Sequence, residues 1–537
     1  MYLKALGVFG LSLISFLTHA QHPGFDIALE PMDIPGLGGL QSYAYGQHNG
    51  TWLIVGGRLD GLHRRQPFAA FDAAGNNTQL IAIDPVGQLH WSASLSTLPV
   101  SVQEQLQSTN MQSYQMGDYL YLTGGYGYSA TAGDHTTFGS LLAIDVPAML
   151  NAVVNGGALT PHIRQISDPL FQVAGGQLRR IGNTFYLIGG NKFLGRYNPM
   201  GPNHGPGFVQ EYTNQIRPFR LTDDGTNLSI VHLTAYTDST QLHRRDFNVV
   251  PQILPNGAEG ITAFSGVFQP TVNLPFRNSV TLDSTGYTVD YAFEQHYNHY
   301  HCGVLPLYSA QNNQMHSIFF GGIAQFYDST GTLIQDDNVP FVKTIARVTR
   351  DAAGILSEHL LPVEMPGWVG AGAEFIPVHS LPHYPNEVLQ LDALPSDSTL
   401  VGYIYGGISS TAENIFFTNT GSQSSANSRI FKVYVVKSPS FGGPETPSAR
   451  DRDLGVRMVP NPNQGRFAVR FYLAEGGDVD ILLRTSDGKK VEQVSLKALQ
   501  PGEQEYVPLT RAQGGLYFIT IQTQDWESTQ KVVIRLE

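Results

Sequence analysis

The sequence has few charged residues and a single cysteine. Asp, Glu, Lys and Arg make up 14% of its 537 residues, against about 25% in a typical globular chain. Because Cys302 is the one cysteine, no intramolecular disulfide can form. After residue 20 no apolar run approaches the roughly 18 residues of a membrane span. We therefore expect a mature chain without a transmembrane segment, stabilised by packing and by closure of its sheets.

The acidic charge is concentrated ahead of the C-terminal region. The formal net charge is -12 at pH 7. From Leu454 onward ten basic residues balance ten acidic ones, whereas 21 basic and 34 acidic residues lie between Gln21 and Asp453. A body of that charge repels nucleic acid and other anionic polymers. The composition therefore excludes nucleic acid as an expected partner.

The first twenty residues, MYLKALGVFGLSLISFLTHA, have the pattern of a secretory signal peptide. Lys4 supplies a positive charge, an apolar run extends from Ala5 to Leu17, and the small residues Thr18 and Ala20 occupy positions −3 and −1 before a cleavage site after Ala20. The apolar run is short for a membrane anchor. The sequence therefore predicts residues 1–20 as a cleaved signal peptide.

A short apolar run that ends in two small residues occurs six times between residues 25 and 438. The runs are rich in β-branched and aromatic residues and too short for helices, so each predicts a buried strand. A glycine pair after a strand lets the chain turn where neighbouring backbones crowd together. The six runs are TWLIVGG (Thr51–Gly57), YLYLTGG (Tyr119–Gly125), TFYLIGG (Thr184–Gly190), ITAFSG (Ile261–Gly266), SIFFGG (Ser317–Gly322) and GYIYGG (Gly402–Gly407).

Strand-like segments on either side of each run bring the repeat to four strands. Four antiparallel strands with one ending in Gly-Gly resemble the Kelch repeat, and residues 21–438 resemble a Kelch-type β-propeller. The resemblance implies an all-β fold with six blades, and a seventh blade in one of the wide gaps is the alternative. The last repeat lacks a fourth strand. We expect the N-terminal segment Phe25–Met32 to supply it and so remove the open sheet edges.

The composition changes after a linker rich in Pro, Ser and Gly at residues 439–453. Residues 454–537 predict the short alternating strands of a small Ig-like β-sandwich. The blocks MVPNPNQGRF, DILLRTSDGKKV, GGLYFITI and KVVIRLE resemble the type A sorting domain of type IX secretion in Bacteroidota. The residues that match this family's motif are Pro460, Asn461, Pro462, Gly465, Gly488, Lys489, Gly515, Tyr517 and Lys531.

This resemblance implies a route of export. The protein would cross the inner membrane by its signal peptide and the outer membrane through the type IX machinery, which is then a partner. We expect the mature protein outside the cell or on the outer cell surface, released or anchored. An ordinary carbohydrate-binding or fibronectin-like module is the alternative identity of residues 454–537.

The tetrapeptide Leu-His-Arg-Arg occurs at residues 62–65 and again at 242–245. The first copy follows the second strand of its repeat and the second copy precedes a first strand, so the copies are not equivalent repeat positions. Loops of these two kinds open at the same end of a propeller, which Kelch-type propellers commonly use for binding. Arginine suits carboxylate or phosphate groups, and clustered aromatic rings suit sugars. The ligand-binding residues predicted at this end are His63, Arg64, Arg65, His243, Arg244, Arg245, Tyr126, Arg196 and His204.

A plainer interpretation of these residues also stands. Arginines in an acidic protein can simply pair with carboxylates, and histidines can satisfy the backbone of buried loops. Three histidines in EQHYNHYHC (Glu294–Cys302), namely His296, His299 and His301, supply enough donors for a metal. Their alternation along an extended segment argues against convergence on one ion, because neighbouring side chains of a strand point to opposite faces.

The sequence thus predicts an exported propeller that binds an extracellular glycan or peptide at its loop end. The alternative is an extracellular carbohydrate-active enzyme, a hydrolase or a metal-dependent oxidase, that uses the same end. No serine nucleophile motif, phosphate-binding loop or zinc-protease motif occurs in the sequence. The residues alone do not identify a cofactor.

Overall fold

The computed structural model of the chain describes residues 24–198, 207–329, 332–437, 456–459, 467–473, 476–485, 489–508, 514–523 and 527–534. The predicted signal peptide at 1–20 and linker at 439–453 lie outside these residues. The chain divides into two compact units, Met1–Ser438 and Pro439–Glu537. Among the described residues, none of the helices combines the length and the apolar character needed to span a membrane.

The first half of the first unit consists of strands with two short helices. Strand β1 (Phe25–Met32) comes first. It is followed by β2 (Ala44–His48), β3 (Thr51–Val55), β4 (Gln79–Asp84), β5 (Leu89–Ser94), α1 (Val100–Leu106), β6 (Thr109–Met116), β7 (Tyr119–Ser129), β8 (Asp134–Thr137), β9 (Ser140–Asp145), α2 (Val146–Asn155), β10 (Ile163–Ser167), β11 (Gln177–Ile181), β12 (Thr184–Ile188), β13 (Asn191–Leu194), β14 (Val209–Tyr212), β15 (Gln215–Asp223), β16 (Leu228–His232) and β17 (Tyr236–Thr237).

The second half of this unit continues with strands, and its described residues contain no α-helix. They are β18 (Asn248–Ile253), β19 (Glu259–Phe264), β20 (Ser279–Leu282), β21 (Tyr287–Asp290), β22 (Gly303–Ser309), β23 (Gln314–Ile323), β24 (Phe326–Ser329), β25 (Thr332–Gln335), β26 (Phe341–Arg350), β27 (Leu356–Glu364), β28 (Trp368–Pro377), β29 (Leu389–Gln390), β30 (Ser398–Ser410), β31 (Ser424–Ala426) and β32 (Ile430–Lys437).

Within the described part of this unit, six sheets share one arrangement, in which four antiparallel strands are paired each with the next. We number them sheets 1 to 6 in chain order: β2-β3-β4-β5, β6-β7-β9-β10, β11-β12-β15-β16, β18-β19-β20-β21, β22-β23-β26-β27 and β28-β30-β32-β1. The short strands β8, β13 and β14 extend sheet 2 beyond this path. The six apolar runs identified in the sequence all form the second strand of a sheet, as predicted.

The N-terminal strand completes sheet 6. Strand β1 pairs antiparallel with β32 in a register that runs from Phe25 opposite Lys437 to Met32 opposite Ile430. This pairing confirms the prediction that the first strand joins the last sheet. It covers the edge of β32 and ties the beginning of the unit to its end without a disulfide.

The core lies between the faces of neighbouring sheets. Each successive pair of sheets encloses an apolar cluster. The last cluster joins sheet 6 to sheet 1, where the ring centroids of Trp52 and Tyr403 lie 5.1 Å apart. The Tyr45 hydroxyl also donates to the Phe375 carbonyl across that junction at 3.0 Å. The sheets therefore close into a ring with the architecture of a β-propeller.

The small pairs that end the second strands turn the chain toward the next sheet. All six pairs have positive φ, for example 65° at Gly124 and 89° at Gly125. Glycine is favoured there because the left-handed region penalises a Cβ. Gly125 donates its N–H to the Val173 carbonyl, in the segment before β11, at 2.9 Å. Equivalent bonds run from Gly57, Gly190, Gly266 and Gly407 to the segments before the next sheets.

A closed cycle of backbone hydrogen bonds joins the six sheets through one residue of each, which lies just before the first strand or, for Asn110 and Gly372, within it. We call it the amide ring. Each N–H donates to the carbonyl of the equivalent residue in the preceding sheet, at 2.7–3.2 Å. The bonds run from Asn110 to Ser42, Gly175 to Asn110, Asp246 to Gly175, His301 to Asp246, Gly372 to His301 and Ser42 to Gly372.

The second unit contains two antiparallel sheets over one apolar core. Strands β33 (Arg457–Val459), β34 (Ala468–Leu473) and β37 (Gly502–Tyr506) form one sheet. The other contains β35 (Gly477–Thr485), β36 (Lys490–Leu499), β38 (Gly515–Gln522) and β39 (Glu527–Ile534). Val469 of the first sheet and Ile481 of the second share the core cluster.

We expect Gly124→Ala to destabilise the first unit far more than Gly117→Ala. Both glycines belong to sheet 2 and both have positive φ. A Cβ on Gly117 meets no atom within 4 Å, whereas one on Gly124 would lie 1.8 Å from the Val173 carbonyl oxygen. Gly117→Ala should cost about 1 kcal/mol of left-handed strain, and Gly124→Ala about 3 kcal/mol or more.

Urea unfolding of the two variants, followed by circular dichroism, measures this difference. Equal free energies of unfolding for both would show that the turn tolerates a side chain and that its contact with the next sheet is unimportant.

Candidate functional site

The six sheets of a propeller surround a central channel. The amide ring forms the floor of a cavity at one end of this channel. The cavity has a volume of about 280 Å³, and we call it the loop-end cavity. Each of the six sheets contributes two residues, its ring residue and the residue before it, and the loops after the second strands form the walls. The two kinds of loop expected at one end of the propeller meet there. The floor residues are Gln41, Ser42, Thr109, Asn110, Ala174, Gly175, Arg245, Asp246, Tyr300, His301, Ala371 and Gly372.

The first Leu-His-Arg-Arg copy places three side chains at this cavity. Leu62, His63 and Arg65 line it. The His63 ring stacks on Phe71 with centroids 5.5 Å apart and meets the edge of Tyr197 at 4.9 Å. Arg64 is absent from the lining, and its side chain packs beside Gly421. Arg64 is therefore the residue of this copy that faces away from the cavity.

The second copy contributes one side chain. Arg245 lines the cavity, donates from Nε to the Tyr212 hydroxyl at 3.0 Å and pairs through Nη1 with the Asp246 carboxylate. His243 lies behind it, stacked on Tyr212 with ring centroids 3.7 Å apart. Both copies therefore lie at the same end of the channel.

Arg244 is a structural residue of the second copy. Its side chain is 1% exposed and packs over the Phe276 ring at 4.1 Å. Its guanidinium donates to the Ser265 and Asn278 carbonyl oxygens and to the Asn278 side chain, and burial lowers its pKa to about 9. The plainer interpretation therefore describes Arg244 correctly, since this arginine satisfies loop carbonyls and does not reach the cavity.

Of the other residues predicted for the site, one lines the cavity, one lies in a different pocket and one is not described. Tyr126 lines the cavity, but its hydroxyl donates to Gly195 at 2.8 Å and accepts from the Tyr197 amide, so it holds a wall loop in place. Arg196 lies in a separate side pocket, where Nε donates to the Ala70 carbonyl at 2.8 Å. His204 lies outside the described residues.

Several lining residues were not predicted from the sequence. Six of them are aromatic, namely Phe71, Phe193, Tyr197, Phe268, Tyr300 and Phe416. No periodic pattern marks them, because each stands in a loop of different length. The aspartate that follows the second tetrapeptide was a usable signal, since Asp246 pairs with Arg245 and occupies a floor position.

Three arginines line the cavity, and one of them, Arg65, has no carboxylate partner among the described residues. Arg58 is paired with Asp60 and Arg245 with Asp246. Arg65 lies over the Phe417 ring at 4.7 Å and has no hydrogen bond or ion pair within the described residues. Burial and the nearby Arg245 charge lower the pKa of His63 to about 4, so its ring is neutral at pH 7. Its buried Nδ1 has no hydrogen-bond partner within the described chain.

The histidines of residues 296–301 do not converge. His296 lies 3.7 Å from the Glu358 carboxylate, and His301 lies 3.1 Å from the Glu374 carboxylate. His299 is buried, with Nε2 bonded to the Gln295 carbonyl oxygen and Nδ1 accepting from the Gln325 amide. In the described chain, one group of three donors is close enough to share an ion, and it contains none of these histidines.

A second cavity occupies the other end of the channel. Its volume is about 330 Å³, and His301 lines both cavities. Burial by itself lowers the pKa of His301. The negative charge of the Glu374 carboxylate and its hydrogen bond to the ring act in the opposite direction, and the pKa is raised. Next to it, burial raises the pKa of the Cys302 thiol to about 12, so the thiol is protonated and a poor nucleophile at neutral pH.

The C-terminal motif residues that the structure describes lie on or beside the strands of the second unit. Gly515 and Tyr517 belong to β38 and pair with residues of β39, which carries Lys531. Lys489 closes the turn before β36, where its amide donates to the Thr485 hydroxyl. Pro460, Asn461, Pro462, Gly465 and Gly488 lie outside the described residues.

Residues 457–535 match the family described as the secretion system C-terminal sorting domain. The second unit is a secretion sorting domain. Its presence indicates export to the cell surface or the extracellular space and interaction with the secretion machinery. A comparison with curated proteins found no match.

Solved structures that are similar to the chain at low identity include the following three. The structure of YjhT shares 14% identity over 74% of this chain and 99% of that chain, with a TM-score of 0.40. A family 43 arabinoxylan arabinofuranohydrolase from Bacillus subtilis shares 12% over 93% and 94%, at 0.30. The WD40 domain of SCAP from fission yeast shares 9% over 96% and 92%, at 0.27. The strand order and the amide ring define the fold of the first unit.

We expect His299 to make the stability of the first unit sensitive to acid. Burial lowers its pKa to about 4 in the folded chain, below the value of about 6.5 in an unfolded chain. The folded state thus favours the neutral ring, whose Nδ1 accepts the Gln325 amide. This contribution is fully present above pH 6.5 and is lost as the pH falls toward 4.

Thermal unfolding between pH 7 and pH 4 tests this expectation. The midpoint of the wild type should fall over that window, and the midpoint of His299→Asn should fall less steeply because the amide does not titrate. Parallel curves for the two proteins would exclude a role of His299 in the acid sensitivity.

Proposed function

We propose that the first unit is a six-bladed Kelch-type β-propeller that binds an extracellular glycan or peptide in the loop-end cavity. The observation that carries the proposal is Arg65, a cation without a carboxylate partner in the described chain, at the wall of a cavity lined by aromatic rings. The six repeated sheets and their glycine pairs support the Kelch type.

The chemistry of the lining suggests the kind of ligand. Aromatic faces such as Tyr197 and Tyr300 suit sugar rings or apolar peptide side chains. Arg65 suits a carboxylate, because a guanidinium binds the two oxygens of such a group through paired N–H bonds. We therefore propose a ligand with an acidic group, either an acidic sugar or a peptide carboxylate.

The alternative is a carbohydrate-active enzyme that uses the same cavity. Glycoside hydrolysis generally requires two carboxyl groups on either side of the scissile bond. Among the described lining residues, Asp246 is the sole carboxylate, and it is paired with Arg245. This composition favours binding over hydrolysis.

We expect Arg65→Ala to weaken ligand binding by about tenfold or more, the effect of losing a hydrogen bond to a charged group. The neighbouring Arg64 supplies a matched control, since it has the same side chain and lies outside the lining. A ligand found on glycan and acidic-peptide arrays would be titrated calorimetrically against wild type, Arg65→Ala and Arg64→Ala. Equal losses in both variants, or no bound member of either array, would contradict the proposal.

We further propose that the C-terminal unit uses the type IX route. Deleting residues 454–537 should leave the protein in the periplasm, because the signal peptide is still present and the sorting signal is lost. Cell fractionation with immunoblotting measures the distribution. The reciprocal fusion, a periplasmic carrier followed by residues 439–537, should reach the outside of the cell. Normal export of the deleted protein would contradict the assignment.

A further inference from the structure

Three possible metal ligands meet at the end of the channel opposite the loop-end cavity. His379, His383 and Glu387 follow β28 in the connection to β30, and all three line the second cavity. One ligand atom from each residue lies within 4.8 Å of the other two. This group is separate from the histidines at 296–301 and from the loop-end cavity.

The donor atoms are arranged to accept an ion. The His379 Nδ1 lies 3.4 Å from a Glu387 carboxylate oxygen, and the rings of His379 and His383 have centroids 4.6 Å apart. Tetrahedral coordination at about 2.0–2.2 Å places ligand atoms about 3.3–3.5 Å from each other. One pair already has that separation, and the third ligand atom lies within 4.8 Å of both.

The tautomer of His383 is set by its own loop. Its Nδ1 lies 2.8 Å from the Leu381 carbonyl oxygen, which can only accept a hydrogen bond. Nδ1 therefore carries the proton, and the lone pair of Nε2 is available. Metal-binding histidines in proteins typically have their other ring nitrogen bonded in this way.

The loop that carries the three residues is anchored on both sides. Val388 is buried, its carbonyl accepts from the Tyr384 amide, and the Asn386 side chain donates to the Gln252 carbonyl oxygen of β18. Glu387 itself has a φ of 69°, a conformation uncommon for a residue with a long side chain. The fold thus holds the backbone of Glu387 so that its carboxylate faces the two imidazoles.

We propose that His379, His383 and Glu387 bind a divalent transition metal of the zinc class at the rim of the second cavity. Two imidazoles and one carboxylate are a ligand set that zinc accepts, with a further position open to water or a ligand. This proposal is independent of ligand binding at the loop-end cavity. An exposed ion pair between His379 and Glu387 alone would contribute little to stability.

The test uses the full mature chain without a polyhistidine tag, stripped with chelator and titrated with zinc chloride by calorimetry. We expect one zinc per chain. His379→Ala, His383→Gln and Glu387→Gln should each weaken binding by at least about tenfold. His48→Ala is the matched control, because His48 also faces a carboxylate, Asp118, at 3.4 Å without a second imidazole beside it.

Cobalt provides a readout that does not depend on the variants. Stripped wild type with one equivalent of Co²⁺ should show the visible absorption of a low-coordinate cobalt site, and added zinc should abolish it. Unchanged thermal midpoints would show that the variants are folded. Absence of stoichiometric zinc binding by the wild type, or an equal loss in His48→Ala, would overturn the proposal.

Discussion

A closed cycle of six backbone hydrogen bonds is the constraint on which the first unit depends. Each bond links equivalent residues of adjacent sheets, so the bonds close only if the sheets are arranged around one axis. Backbone amides carry this contact, and the side chains at the ring are therefore free to differ. Ser42, Asn110, Asp246 and His301 occupy equivalent positions with different chemistry. The backbone hydrogen bonds of the ring thus repeat from sheet to sheet, whereas the side chains on the cavity floor differ.

The same constraint explains how an exported chain without disulfides keeps its shape. Sheet edges are the vulnerable part of any β-protein, and here β1 covers the edge of β32. The apolar clusters between sheets supply the burial, and the glycine pairs bring the sheets close enough for the amide ring to form. The lone cysteine is buried within this packing, where its high pKa keeps it unreactive.

Much of the frame could be predicted from the sequence, because a repeated backbone requirement leaves a repeated residue pattern. The glycine pairs identified the second strands, and the unpaired N-terminal strand identified the closure. The orientation of individual loop side chains could not be predicted. Arg244 and Arg245 are adjacent and identical, yet one is buried under Phe276 and the other faces the cavity. A repeat pattern identifies strands and turns but does not specify which of two adjacent loop side chains faces the cavity.

Hydrogen exchange of the six amides in the ring tests the central claim most directly. The peptides that contain Ser42, Asn110, Gly175, Asp246, His301 and Gly372 can be followed by mass spectrometry in the native protein. If the ring holds the sheets together, these amides should be among the slowest to exchange and should become exposed in one cooperative step. Rapid exchange at any one position, while the others remain protected, would show that the sheets open independently and that the cycle is not the common support of the fold.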